Sequence, residues 1–540
     1  MKEVNHINAK KGSKITFKKV ILGIIGFWIL STVISLFFVT NSKIGNQIFG
    51  LVILGFVGFI GFKIFNTFKK VSDLDIIKSV IPKSKQKQKE ALNLSLNGIV
   101  NIQNPYTGIF ISGGAGAGKS KSIIEPLIAD CGRKEFTGVI YDFKFPELAK
   151  YVATAYQGSD VKQYYINFTD LTRTHRINPI SPEIMRNDSF AREFAFTILA
   201  NLNPQMVSKP DFWSDNATSL LASTFWYLKK NHPTLCTLPH AMSMILQPDL
   251  EALLRTLSKD IKCADMIAPI LTAYANKADN QLAGVVSSLQ ISLSKINTEE
   301  VYYITSGNDF SLDLNNPNSK GILTIGNEPT LATTYAPIIG LILTSASKLL
   351  NQQGKEKSVF MMDEFPTVFV PNVEQLPATA RSNKVATILA CQDIAQIVSS
   401  YGKEKSDIIL SNLGNQFFGR TTNLQTAQRV SQIFGKSDKL MVTESNNYER
   451  KLLRERRKGS GESFSYQERD LVKVQDVTTL NTGDFYTILS EGKTRQGLSS
   501  IAIDKSFIKS EILSFKGVTD WDLEQNFLKI KKECDFILSK

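Results

Sequence analysis

The chain has 540 residues, 43% of them hydrophobic, with a formal net charge of +13 and a pI near 9.2, which calls for two or three packed units. Its five cysteines, Cys131, Cys236, Cys263, Cys391 and Cys534, are scattered and form no C-x-x-C pair, which excludes a disulfide framework and a zinc ribbon. The four histidines, His6, His175, His232 and His240, lack metal-ligand spacing as well.

Residues 1–19 form a lysine-rich leading segment, followed at 20–39 by the uncharged stretch "VILGIIGFWILSTVISLFFV". About twenty apolar residues suffice for a helix to cross a bilayer's hydrocarbon core, and this run is too long for the h-region of a cleaved leader. A second run, "IFGLVILGFVGFIGF" at 48–62, extends to Phe65 if Lys63 snorkels, so 20–65 is expected to be a transmembrane hairpin. Six lysines precede it, seven lie between Lys69 and Lys89, and the connecting loop holds Lys43 alone. Both termini are therefore expected on the cytoplasmic side.

Residues 66–104 read as a basic linker, "KSKQKQKE", and a small hairpin turning at Asn97-Gly98. The first α/β segment is expected at 105–180. It opens with the strand-like "GIFI" and then "GGAGAGKS" at 113–120, which has the spacing G-x-x-x-x-G-K-[ST]. Gly113, Gly114, Ala115, Gly116, Ala117 and Gly118 make a phosphate-cradling loop, because glycines permit the backbone conformations that turn successive N–H groups inward. Lys119 is placed to reach the β- and γ-phosphates of ATP, Ser120 to ligate Mg²⁺, and the helix starting near Lys121 to aim its dipole at the same charge. A glycine-rich turn that matches by chance is the alternative. "TGVIYDF" and "VKQYYINF" are the next two strands.

From 181 to 310 almost nothing reads as strand. "FAREFAFTILANL", "FWSDNATSLLASTFWYLKK" and "PDLEALLRTLSKD" carry apolar residues at helical spacing, which predicts an inserted all-α domain. Strand runs resume over 311–505 with "KGILTIGN", "SVFMMDEF", "VATILACQ" and "GNQFFGRT", so the body is α/β with a mostly parallel sheet. Asp363 ends the second of these, 244 residues after Lys119, and is expected in the Mg²⁺ shell, with Glu364 beside it to activate the attacking water, against an acidic strand end that caps a helix. Gln392, ending the next run, is placed to sense the γ-phosphate if the two strands are neighbours; otherwise it merely begins a helix. Arg381 and Arg420 are candidates for an arginine supplied in trans to a neighbouring subunit's site, against a plain surface role. Residues 506–540 are expected to be a tail.

The combination of the membrane hairpin, the motifs at 113–120 and 358–365, Gln392 and a helical block opening on "DFWSDNATSLL" resembles the type IV coupling proteins, the TraG/TraD-type family. "YDFKFPELAK" is similar to that family's second-strand signature, from which Asp142 and Lys144 carry over, although "FP" stands where the family usually has glycine. The resemblance implies a RecA-like P-loop ATPase, a multi-pass protein of the bacterial inner membrane with a cytoplasmic motor, assembled as a homo-hexamer. It implies recruitment of relaxase-bound single-stranded DNA and its delivery to a type IV secretion channel. The loop between the membrane helices is short for the family, and the brief stretch after Lys505 predicts no elaborate docking domain there. Basic charge attracts nucleic acid, with "YERKLLRERRK" at 448–458 as the DNA-contact candidate, against a solvated charge run. Alternatives are the same ATPase exporting protein effectors, a scaffold that binds nucleotide without hydrolysing it, and a chromosome-partitioning pump, the last disfavoured by the lack of a winged-helix module after the motor.

Overall fold

Seven short runs become strands, and the central ones are apolar because they are buried on both faces, which leaves little room for polar alternation. They are β1 (Ile109–Ser112), β2 (Thr137–Asp142), β3 (Lys162–Ile166), β4 (Ser319–Gly326), β5 (Ser358–Met362), β6 (Val385–Cys391) and β7 (Asn415–Phe418). Their order across the sheet is β7-β1-β6-β5-β2-β4-β3, and every neighbouring pair is parallel. The register sets Phe110 beside Leu389 and Phe417 beside Ile111. Side chains alternate between two apolar layers, Phe110 and Tyr141 on one face, Ile109, Ile111 and Ile140 on the other.

This computed structural model describes residues 90–94, 100–447, 459–492, 496–501, 510–515 and 517–539. The membrane hairpin expected at 20–65, most of the linker before Glu90, and the basic run at 448–458 lie outside them. Of the small hairpin, Leu92 and Asn93 pair antiparallel with Ile102 and Asn101.

Helix α1 (Glu125–Arg133) follows β1 and α2 (Glu147–Ala155) follows β2. Between β3 and β4 the chain makes helices only, apart from a two-residue strand at Asn315–Asn316. The insertion includes α3 (Asp188–Leu202), α4 (Phe212–Asn231), α5 (Leu238–Ile245) and α7 (Glu299–Ser306), with α6 (Asp279–Ser294) between the last two. Asn187 caps α3 by accepting from the Phe190 N–H, and Asp211 and Ser214 close a capping box on α4. Phe194, Ile198, Leu220, Phe225 and Met244 join the core of the sheet face that holds Phe110.

The helix after β4, α8 (Ala332–Leu350), packs on α3. The stretch Pro329–Leu350 is long and apolar enough to cross a membrane, but most of it is buried inside the protein, as befits a core helix. Helix α9 (Ile394–Tyr401) follows β6 and α10 (Leu424–Phe434) follows β7. Beyond the seven runs lie β8 (Lys436–Asn447) and β9 (Gly459–Asp470), a ribbon of twelve antiparallel pairs, and then β10 (Asp484–Ile488) and β11 (Gln496–Ser500). The last two extend the sheet antiparallel from β7.

The stretch expected to be a tail instead holds helix α11 (Asp520–Ser539), which packs on α5 and α7. Phe527 packs at a tilt against Tyr302 with ring centroids 4.7 Å apart, and the Nε2 of His240 lies 3.0 Å from Glu533 Oε2. On the way there, Glu511 pairs with Lys150 of α2 at 2.6 Å, and the Phe515 N–H donates to the Thr172 carbonyl at 2.6 Å.

Candidate nucleotide site

The carboxyl ends of β1, β5, β6 and β7 meet at one edge of the sheet, the place where open α/β folds bind ligands. Residues 113–118 turn there between β1 and the helical segment that begins at Lys119. Gly116 and Gly118 have φ of +74° and +97°, in the left-handed region, and a Cβ on Gly118 would lie 2.9 Å from the Gly483 nitrogen. Neighbouring loops fix the turn. The Gly114 N–H donates to the Arg420 carbonyl at 2.7 Å, that of Gly113 to Cys391 at 3.3 Å, and that of Gly483 to Ala117 at 3.0 Å. The Thr482 hydroxyl donates to the Gly116 carbonyl at 2.8 Å. Among the described residues, no carbonyl accepts from the N–H groups of Ala115, Gly116 or Gly118, which leaves them available to an anion.

Lys119 is buried and donates from Nζ to the Gly113 carbonyl at 2.5 Å. Residues 119–124 form one π-helical turn before α1 begins; Ser120 stands half-buried on it, and Lys121 points away to Glu125 at 2.7 Å.

Strand β6 lies between β1 and β5, so Gln392 and the pair Asp363-Glu364 end adjacent strands. The Gln392 N–H donates to Glu364 Oε1 at 3.0 Å. Burial raises the Glu364 pKa, while the Lys119 ammonium and the Gln392 hydrogen bonds pull it back. Asp363 is pushed up to about 7, first by burial and then by the Glu364 charge, with Lys119 opposing. Lys119, Asp363, Glu364 and Gln392 are thus brought together. Lys144, exposed, is close enough to lower both acids.

Asp142 stands apart in role. Its Oδ2 accepts from the N–H groups of Leu148 and Ala149, both at 2.9 Å, so it caps α2; burial lifts its pKa to about 7.

The two arginines separate. Arg381 precedes the first residue of β6 and Gln392 follows its last, so seven residues at about 3.3 Å each set Arg381 at the opposite edge of the sheet, about 20 Å from its own chain's loop. Arg420 follows β7 and lies against the phosphate loop of the same chain. Sequence reasoning missed the Thr482-Gly483 contact, because only the antiparallel addition of β10 beside β7 carries that turn to residues more than 360 positions earlier.

A family model, type IV secretory system conjugative DNA transfer, matches residues 63–493. The chain belongs to that family. No curated protein sequence matches it. Among solved structures, the coupling-protein fold is similar to that of the bacterial conjugative coupling protein TrwBdeltaN70 in its unbound form. The two are 16% identical with a TM-score of 0.61, over 80% of this chain and 93% of that one. The plasmid coupling protein TrwB in complex with ADP and Mg²⁺ gives the same identity, coverage and score. Its complex with the non-hydrolysable ATP analogue ADPNP gives 17% identity and a TM-score of 0.59, over 76% of this chain and 89% of that one. At such identity the likeness establishes the fold alone, an α/β architecture shared with those coupling proteins.

Proposed function

We propose that this coupling-family chain is an ATPase of the bacterial inner membrane that takes up relaxase-bound single-stranded DNA and drives it into a type IV secretion channel. In this reading it is anchored through 20–65 with both termini cytoplasmic, works as a homo-hexamer, and builds its motor from 105–180 and 311–505 around the insertion at 181–310. The observation that carries it is the bond from the Gln392 N–H to Glu364 Oε1, beside the buried Lys119.

The donor set suits ATP with Mg²⁺. The loop offers free N–H groups and an ammonium, and Ser120 and Asp363 offer two hard oxygens. Among the described residues, no group of three or more His, Cys, Asp or Glu side chains forms a metal cage, so the cation would depend on phosphate oxygens and water for its remaining ligands. When bound, Mg²⁺ supplies charge neutralisation along the phosphates. The chain does the rest. The loop N–H groups and Lys119 hold the phosphates in place, and Glu364, oriented by Gln392, positions a water and accepts its proton. Lys119 and the Gln392 bonds resist the burial that would leave Glu364 protonated and useless as a base. Gln392, touching Glu364, is positioned to report the state of the phosphates to α9 two residues on.

The test uses the full-length protein in lipid nanodiscs, assayed for ATP turnover with and without single-stranded DNA, and in cells for conjugative transfer. Lys119→Ala and Glu364→Gln are expected to abolish both turnover and transfer. Wild-type-level transfer by Glu364→Gln would sink the motor reading. Stimulation by a secreted protein, with none by DNA, would reassign the substrate to protein.

A further inference from the structure

The phosphate loop has a second cation that its sequence motif does not include. Arg420 ends the turn after β7, and its carbonyl anchors the Gly114 N–H at 2.7 Å, so its backbone is tied to the loop. Its side chain runs along the loop's crest, where a Cβ added to Gly116 would lie 3.6 Å from Nη2. The residue is half-buried, and among the described residues its guanidinium makes no hydrogen bond or ion pair. A partly desolvated, unpaired guanidinium loses water without compensation unless an anion completes it. Thr482, donating to the Gly116 carbonyl at 2.8 Å, holds the crest on which that anion would rest.

We propose that Arg420 grips the nucleotide in cis, on a phosphate common to ADP and ATP; this rests on the nucleotide-binding reading above. The strand order decides which end of the phosphate chain it meets. Glu364 and Gln392 stand on the β6 and β5 side of β1, whereas Arg420 stands on the β7 side. Since the γ-phosphate must face Glu364 to be attacked, Arg420 faces the other end. Its contact is therefore the same in the ground state and the transition state, and in ADP and ATP, which makes it a binding residue and not a trans-acting arginine finger.

The test measures binding of fluorescent ATP and ADP, and the kcat and KM of ATP turnover, on the full-length protein in nanodiscs for wild type, Lys119→Ala, Arg420→Ala and Arg420→Lys. Removing a charge-assisted contact is expected to weaken both nucleotides together, about 10- to 100-fold for Arg420→Ala. The kcat at saturating ATP should stay within about threefold of wild type, and Arg420→Lys should fall between. If Arg420→Ala binds both nucleotides as wild type does, or loses kcat with affinity intact, the cis grip is overturned. If Arg420→Ala melts early, Arg420→Lys decides: affinity equal to wild type with an unchanged melt also overturns it. Wild-type protein that binds neither nucleotide, or binding unaffected by Lys119→Ala, would instead defeat the nucleotide reading itself.

Discussion

Gln392 reaches across from the end of β6 and gives its main-chain N–H to Glu364 Oε1 at 3.0 Å, so the buried carboxylate is held by the end of the neighbouring strand. Glu364→Gln preserves this acceptor, with the amide oxygen in place of the carboxylate oxygen, but removes the base. Turnover should fall by about 10²- to 10⁴-fold while ATP affinity stays within a few-fold of wild type. Steady-state ATPase rates beside nucleotide titration will show whether the two separate; a parallel loss of binding would mean that Glu364 is structural.

Gly118 lies too close to the Gly483 backbone to admit a side chain of its own. Gly118→Ala must hold a Cβ at φ of +97° and push it to 2.9 Å from the Gly483 nitrogen. Strain of about 1–3 kcal/mol is expected from the left-handed geometry alone, before the clash. Calorimetry should record a melting temperature lowered by several degrees, with nucleotide affinity at least tenfold weaker. An unchanged melt with intact affinity would show that the loop shifts at no cost.

His240 gives the docking of α11 a pH dependence. The groups facing it are Thr237, whose hydroxyl lies 2.6 Å from Nδ1, Glu533 at Nε2, and the Lys529 charge; Cys534 Sγ meets its carbonyl at 3.3 Å. Burial lowers the His240 pKa more than Glu533 raises it. The folded form therefore binds its proton more weakly than the unfolded form. The neutral ring's contribution is fully present above the unfolded pKa of about 6.5 and is lost as pH falls through that window. Measured against the intrinsic rate at each pH, hydrogen exchange across residues 520–539 should be faster at pH 5.5 than at pH 7.5, and His240→Gln should flatten the difference. Equal acceleration in the variant would assign the effect to other groups.

What the sequence disclosed follows from how local each cause is. The parallel strands were readable because a two-sided burial demands an apolar run such as "VATILAC", and the phosphate loop because its glycines serve local backbone needs. Helix α11 also left a readable trace: Leu523, Phe527, Ile530, Cys534 and Ile537 recur at helical spacing and turn inward, a period that the reading of 506–540 as a tail passed over. The Thr482-Gly483 clamp left none, since a threonine and a glycine before a strand describe any turn until the sheet order is known. Asp142 was visible as an acid at a strand end, but its use in capping α2 depends on the direction of a turn that composition does not encode.

Asn201 joins the helical insertion to the segment behind Glu364. Its side chain exchanges two hydrogen bonds with the Phe369 main chain, Nδ2 to the carbonyl at 2.9 Å and the Phe369 N–H to Oδ1 at 2.8 Å, in imitation of a strand neighbour. Phe369 lies five residues beyond Glu364, and Gly340 of α8 packs so close that an added Cβ would stand 2.7 Å from Nδ2. Asn201→Ala leaves a partly buried donor and acceptor without partners and should destabilise the protein by about 1–3 kcal/mol. Because the freed segment starts at Glu364, the proposed base, ATP turnover should fall more than nucleotide affinity does, whereas Asn201→Asp keeps the acceptor for Phe369 N–H and should lose less. Thermal melts with kcat and Kd for both variants decide the matter: an Ala variant with wild-type stability would show that water replaces both bonds, and one with lowered stability but wild-type kcat would confine Asn201 to holding the insertion in place.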